Sequence, residues 1–131
     1  MNLRAAVLVS WLAGAASAQT VPEPDGFRGE PYRAPVPATL RGARVIDPAQ
    51  AMALHAQGVP FLDTLPRQKR PEGLPPGTIW NAEVHYTIPG AAWLYDTGYD
   101  RISTVEETRL SEGLARATDG DKAAPVVIFC K

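Results

Sequence analysis

The chain has 131 residues, 45% of them hydrophobic and 21% charged, which is enough apolar material for one domain plus appendages. A formal net charge of -1 excludes a general electrostatic attraction to nucleic acid or to an anionic membrane surface. Its 13 prolines and single cysteine are the unusual entries, and both shape the reading that follows.

The first twenty residues, "MNLRAAVLVSWLAGAASAQT", have the layout of an export signal. Arg4 supplies the positive start, Ala5 to Ala16 an apolar run, and Ala16-Ser17-Ala18 the small-x-small pattern of a cleavage site. The run is too short to span a bilayer, which needs about 20 apolar residues. Residues 1–18 are therefore expected to be removed, leaving no membrane anchor and placing the mature chain in the periplasm. Exported thiols are usually paired, so the lone Cys130 implies a reactive group or an absent partner.

Residues 19–39 are proline-rich and lack a helical or strand period, as an extended leader would. Phe27 and Tyr32 are the side chains able to pin it to a domain surface. Regular structure begins at Val45 and runs into a helix capped by Asp47, with Pro48 in its first turn, Gln50 completing the capping box and Gly58 ending it. Ala49, Met52, Ala53 and Ala56 mark its expected core face. The strand "VPFLD" follows, then the basic loop "TLPRQKRPEGLPPG" and a second short strand at "TIW", residues 78–80.

Pro89-Gly90 marks a turn, with Trp93 and Leu94 as anchors behind it. A second helix is predicted from its Ser103 cap and Glu106, with Leu110, Leu114 and Ala117 inward and a stop near Gly120. The last element, "VVIF", has the composition of a strand covered on both faces. Alternating strands and helices predict an α/β domain built on a mainly parallel sheet with flanking helices.

Cys130 falls at the carboxyl end of that last strand, where open parallel sheets bind ligands. A strand-to-helix turn there gathers backbone N–H groups and the positive end of a helix, conditions that favour a thiolate. A small apolar core cysteine is the competing reading, and the residues alone leave the two open. The turn and helix that would follow are not in the sequence. The sheet is thus expected to be incomplete at the C-terminus and the chain to be a fragment of a longer gene product.

Three segments, "RVIDPAQAMALHAQGVPFLDT", "TIPGAAWL" and "PVVIFC", taken in order, resemble the opening strand-helix-strand, the I-P-G-A segment and the cysteine-bearing strand of rhodanese-like domains. With the leader "PDGFRGEPYRAPVPATL", they resemble more narrowly an exported subgroup associated with catabolism dependent on pyrroloquinoline quinone (PQQ), the CXXCW motif proteins. The resemblance makes residues 40–131 the N-terminal part of a rhodanese-like domain and gives Cys130 the reactive-cysteine position. The motif's second cysteine and tryptophan have no counterpart here. The arginine that commonly follows the strand-ending aspartate is missing as well, Asp63 being followed by Thr64-Leu65-Pro66, with Arg67 nearby.

Two functions follow from the resemblance. One is a sulfurtransferase or thiol-redox protein that moves sulfane sulfur through a Cys130 persulfide, acting on a small sulfur-containing or anionic substrate. The other is a non-catalytic accessory protein serving a periplasmic quinoprotein dehydrogenase or its transport components. A redox cofactor or PQQ is implied only at the level of the system. No metal-ligand spacing is visible, because His55 and His85 are far apart and have no cysteine near them. Arg67, Lys69 and Arg70 read as a solvated loop or an anion attractor. Trp80, Tyr86, Trp93 and Tyr95 read as packing anchors or a quinone pocket.

Overall fold

The computed structural model describes residues 21–130; the expected signal segment 1–18 and Lys131 lie outside the described residues. Within them the order is α1 (Pro48–Ala56), β1 (Phe61–Asp63), β2 (Ala92–Trp93), α2 (Thr104–Ala117) and β3 (Val127–Phe129). The three strands form one sheet in the order β2-β1-β3, and both pairings are parallel. The chain is therefore an α/β protein with a small parallel sheet. No helix among the described residues is long and apolar enough to cross a membrane.

Both helix starts follow from their caps. The Asp47 carboxylate accepts from the Gln50 N–H at 2.8 Å, and Gln50 returns the bond to the Asp47 N–H at 3.0 Å. In α2 the Glu106 carboxylate accepts the Ser103 N–H at 2.6 Å and the Ser103 hydroxyl as well. The chain leaves α2 through Gly120, which takes the left-handed φ of 81° and donates to the Ala115 carbonyl at 2.9 Å.

Four apolar side chains form the buried core: Phe61, Leu62, Leu94 and Val127, with Leu62 completely enclosed. They come from β1, β3 and the residue after β2, so the core is the sheet itself. The helices approach it closely. The His55 ring of α1 meets Phe61 edge-on at 5.2 Å. In α2, Gly113 is buried, and a Cβ there would come within 2.7 Å of Leu94 Cδ1 and closer still to Cδ2. Glycine at this helix position is explained by that approach rather than by backbone freedom.

Four expectations need correction. No strand forms at Val45, and none forms at residues 78–80, where Ile79 is 87% exposed. The strand beside β1 is instead Ala92–Trp93, delivered by the turn at Pro89-Gly90 and held by the Leu94 N–H on the Asp63 carbonyl at 2.8 Å. The face of α1 predicted to be inward is outward. Ala49, Met52, Ala53 and Ala56 are exposed, while Ala51 and Leu54 are half-buried. Alanines at helical spacing carry too little apolar area to fix which stripe turns inward. Finally, "VVIF" is not covered on both sides. Val127 is buried, but Ile128 is exposed on a strand whose outer edge has no partner among the described residues.

The leader is held at Glu23, whose carboxylate accepts the Arg41 N–H at 2.9 Å, and at Tyr32. Its hydroxyl donates to Asp100 at 2.6 Å and its ring meets Tyr99 edge-on at 5.4 Å, whereas Phe27 is exposed.

Candidate functional site

Parallel strands end together, so the carboxyl ends of β1, β2 and β3 place Asp63, Trp93 and Phe129 in one register row. Cys130 is the next residue after that row, and its side chain is free and exposed. The Thr64 N–H donates to the Phe129 carbonyl at 2.9 Å, and the Thr64 hydroxyl reaches the same oxygen at 3.3 Å. Thr64 is buried and tightly backed: a Cβ on Gly98 would lie 2.9 Å from its Oγ1. The backbone that leads into Cys130 is thus held on one side by a rigid neighbour.

The same rim carries a polar cluster. Asp63 is 2% exposed, yet its carboxylate is fully engaged. One oxygen accepts the Leu65 N–H at 2.9 Å. The other accepts the Thr87 hydroxyl at 2.6 Å and faces His85 Nε2 at 2.8 Å. Burial raises the Asp63 pKa, but the bonds from Thr87, Leu65 and His85 outweigh it and hold the carboxyl below its ordinary value. An ionised carboxylate only accepts, so His85 Nε2 carries the proton in this pair.

The His85 ring stacks on Trp93 at 4.1 Å with an interplanar angle of 22°, and Trp93 Nε1 donates to the Leu65 carbonyl at 2.8 Å. A second buried acid, Asp96, holds Arg67. Asp96 accepts from Arg67 Nε at 2.9 Å and from the Arg67 backbone N–H at 3.2 Å. Asp96 adopts a left-handed φ of 65°, a conformation that aspartate enters more readily than most residues. Tyr95 lies between two guanidinium groups, Arg67 at 4.6 Å and Arg109 at 3.9 Å from its ring centre.

Between the loop 65–68 and the segment 82–86 opens a cleft of about 480 Å³, with Arg67, His85, Tyr86 and Trp93 among its walls. Among the described residues no group of three or more His, Cys, Asp or Glu side chains is arranged to hold a metal ion.

The sequence-derived candidates fall as follows. Cys130 is at the strand tip, as its position requires, and is not a sealed core thiol. Arg67 pairs with Asp96 rather than with Asp63, so it does not take the place of the arginine missing after the strand. Trp93 and Tyr95 are packed together at 5.4 Å, while Tyr86 is 81% exposed. The cluster of Asp63, His85 and Thr87 was not anticipated. Its faint sequence signal is the i, i+2 spacing of His85 and Thr87, which puts both on one side of an extended segment. Asp96 carries no local signal at all.

Searches of the chain against protein-family models, curated proteins and solved structures found no match.

Proposed function

We infer that the chain is a periplasmic, rhodanese-like protein of PQQ-dependent alcohol catabolism whose Cys130 performs thiol or sulfane-sulfur chemistry. The observation that carries this reading is the exposed Cys130 thiol immediately beyond β3, at the carboxyl rim of a parallel sheet and beside the hydrogen-bonded end of β1. That rim is where α/β sheets place their ligands. Support for the rhodanese type comes from the order of the three segments along the chain and from the cysteine-bearing strand lying next to the strand that ends in Asp63.

The chemistry is nucleophilic. The Cys130 thiolate attacks the outer sulfur of thiosulfate, the sulfur–sulfur bond breaks heterolytically, sulfite leaves with the electron pair and a persulfide remains. A nucleophile such as cyanide then takes the outer sulfur as thiocyanate and returns the thiolate.

Thiosulfate treatment followed by intact-mass spectrometry tests the reading. One added sulfur atom is expected on the wild-type protein and none on Cys130→Ser. No adduct on either protein would overturn the sulfur-transfer reading and leave the accessory role. One observation favours that second reading: the cleft walled by Arg67, His85 and Trp93 lies between the loop 65–68 and the segment 82–86, and Cys130 is not among its walls.

A further inference from the structure

The polar cluster beside Trp93 takes no part in cysteine chemistry, yet it is built as a binding site is built. His85 is fixed twice, by Asp63 at Nε2 and by the Trp93 face against its ring. Its Nδ1 has no hydrogen-bond partner among the described residues. No half-buried or buried side chain among the described residues has a polar atom that is both sealed from solvent and unpartnered. His85 is half-buried, so Nδ1 must open outward, and His85 lines the cleft. Nε2 donates to Asp63, and in the tautomer that leaves Nδ1 unprotonated that atom is an acceptor on the outward side of the ring.

Arg67 stands on the same wall. Asp96 engages its Nε and its backbone N–H, and Tyr95 supports the guanidinium plane. Among the described residues the two terminal amino groups have no partner, and the side chain is half exposed. A guanidinium held by its Nε, with both terminal groups outward, is a preorganised fork for a carboxylate. The aromatic faces of Trp93 and Tyr86 supply apolar wall between and around these groups.

We propose that this cleft binds a small organic acid bearing a hydroxyl group, its carboxylate on the Arg67 fork and its hydroxyl donating to His85 Nδ1. A fixed donor fork and a fixed acceptor in one cavity require a ligand with both complements. A simple inorganic oxyanion satisfies the fork but brings no proton for Nδ1. Glu83, on the outer wall, opposes the ligand's charge, and its exposure to solvent leaves that opposition largely screened.

The test uses lactate and propionate, which differ by the one hydroxyl, titrated into the ¹⁵N-labelled protein and followed by NMR. Lactate is expected to shift resonances of the 65–68 and 82–86 segments and to bind at least about threefold more tightly than propionate, the advantage of one added hydrogen bond. Arg67→Gln should weaken both acids by about tenfold, the scale of a lost charge-assisted bond. His85→Lys retains an N–H donor for Asp63 and carries no acceptor, so it should abolish the preference for lactate over propionate. Glu83→Gln should tighten both.

No shift with either acid at millimolar concentration would overturn the proposal. So would equal binding of lactate and propionate to the wild-type protein, or lactate binding unchanged in Arg67→Gln. The dispersed spectrum of each variant reports in the same experiment that it is folded. None of these titrations involves Cys130, so this site and the sulfur chemistry stand or fall separately.

Discussion

At the residue scale the molecule depends on a few places where one atom more or less is felt. Gly113 is the clearest. Alanine there gains helix propensity, about 1 kcal/mol, but drives its methyl group into Leu94, one of four core side chains. Overpacking of this kind costs about 1–3 kcal/mol, so Gly113→Ala should be destabilised on balance, read as a lower midpoint in urea unfolding. Asp63 is the second. Its two oxygens face three donors, and Asn would turn an amide N–H toward one of them. Asp63→Asn is therefore expected to lose about 1–3 kcal/mol. The sign of the pH effect follows from the depressed Asp63 pKa. A carboxyl held below its unfolded value contributes stability above pH about 4, and that contribution is lost as pH falls through the lower, folded value. Unfolding midpoints measured from neutral pH down through this window should fall less steeply in Asp63→Asn than in wild type.

At the element scale the caps and the pairings answer different questions. Asp47-Pro48 and Ser103-Glu106 start their helices from local chemistry, and both helices begin where those residues predict. Which side of α1 turns inward is another matter. The His55 side chain makes no hydrogen bond within its own helix. Its ring instead meets Phe61, and its Nε2 sits 2.9 Å from the Pro89 carbonyl, so Nε2 carries the proton there and donates. That contact, with Leu54, orients the helix, and no alanine stripe overrides it. The leader is likewise fixed by contacts to distant residues, the Tyr32–Asp100 bond among them. The bond to the Asp100 carboxylate, with burial and the nearby acidic groups adding to it, raises the Tyr32 pKa to about 12. Tyr32→Phe removes that bond and keeps the ring. It should raise amide exchange and protease cleavage across residues 21–39 and leave the sheet amides unchanged, as hydrogen exchange with mass spectrometry would show.

At the scale of the whole molecule the sheet is narrow, and among the described residues no strand pairs with the outer edge of β3. Parallel pairing directs the Val127 N–H to the Pro60 carbonyl and the Phe129 carbonyl to the Thr64 N–H. By alternation the backbone groups of Ile128 point away from β1, along that edge. An exposed β-branched residue on such an edge is a place where a second chain can pair. Ile128→Lys should therefore reduce concentration-dependent association in sedimentation velocity, with the helical circular dichroism preserved. Loss of helix together with loss of association would show that Ile128 serves the fold rather than the edge.

The sequence by itself determined the helix starts and stops, the strands at residues 61–63 and 127–129, the α/β class and the place of Cys130 at a strand tip. All of these rest on signals carried by neighbours in the chain: caps, a φ that glycine accepts, a run of β-branched residues. Only the tertiary structure decided that Ala92–Trp93 and not residues 78–80 pairs with β1. It also decided that α1 turns Leu54 inward, that Arg67 answers to Asp96, and that Asp63, Thr87 and His85 form one cluster. A two-residue strand is too short to carry a period, and a buried carboxylate chooses its partners by proximity in space after the chain has closed. Those facts belong to the packed sheet, where residues tens of positions apart first meet.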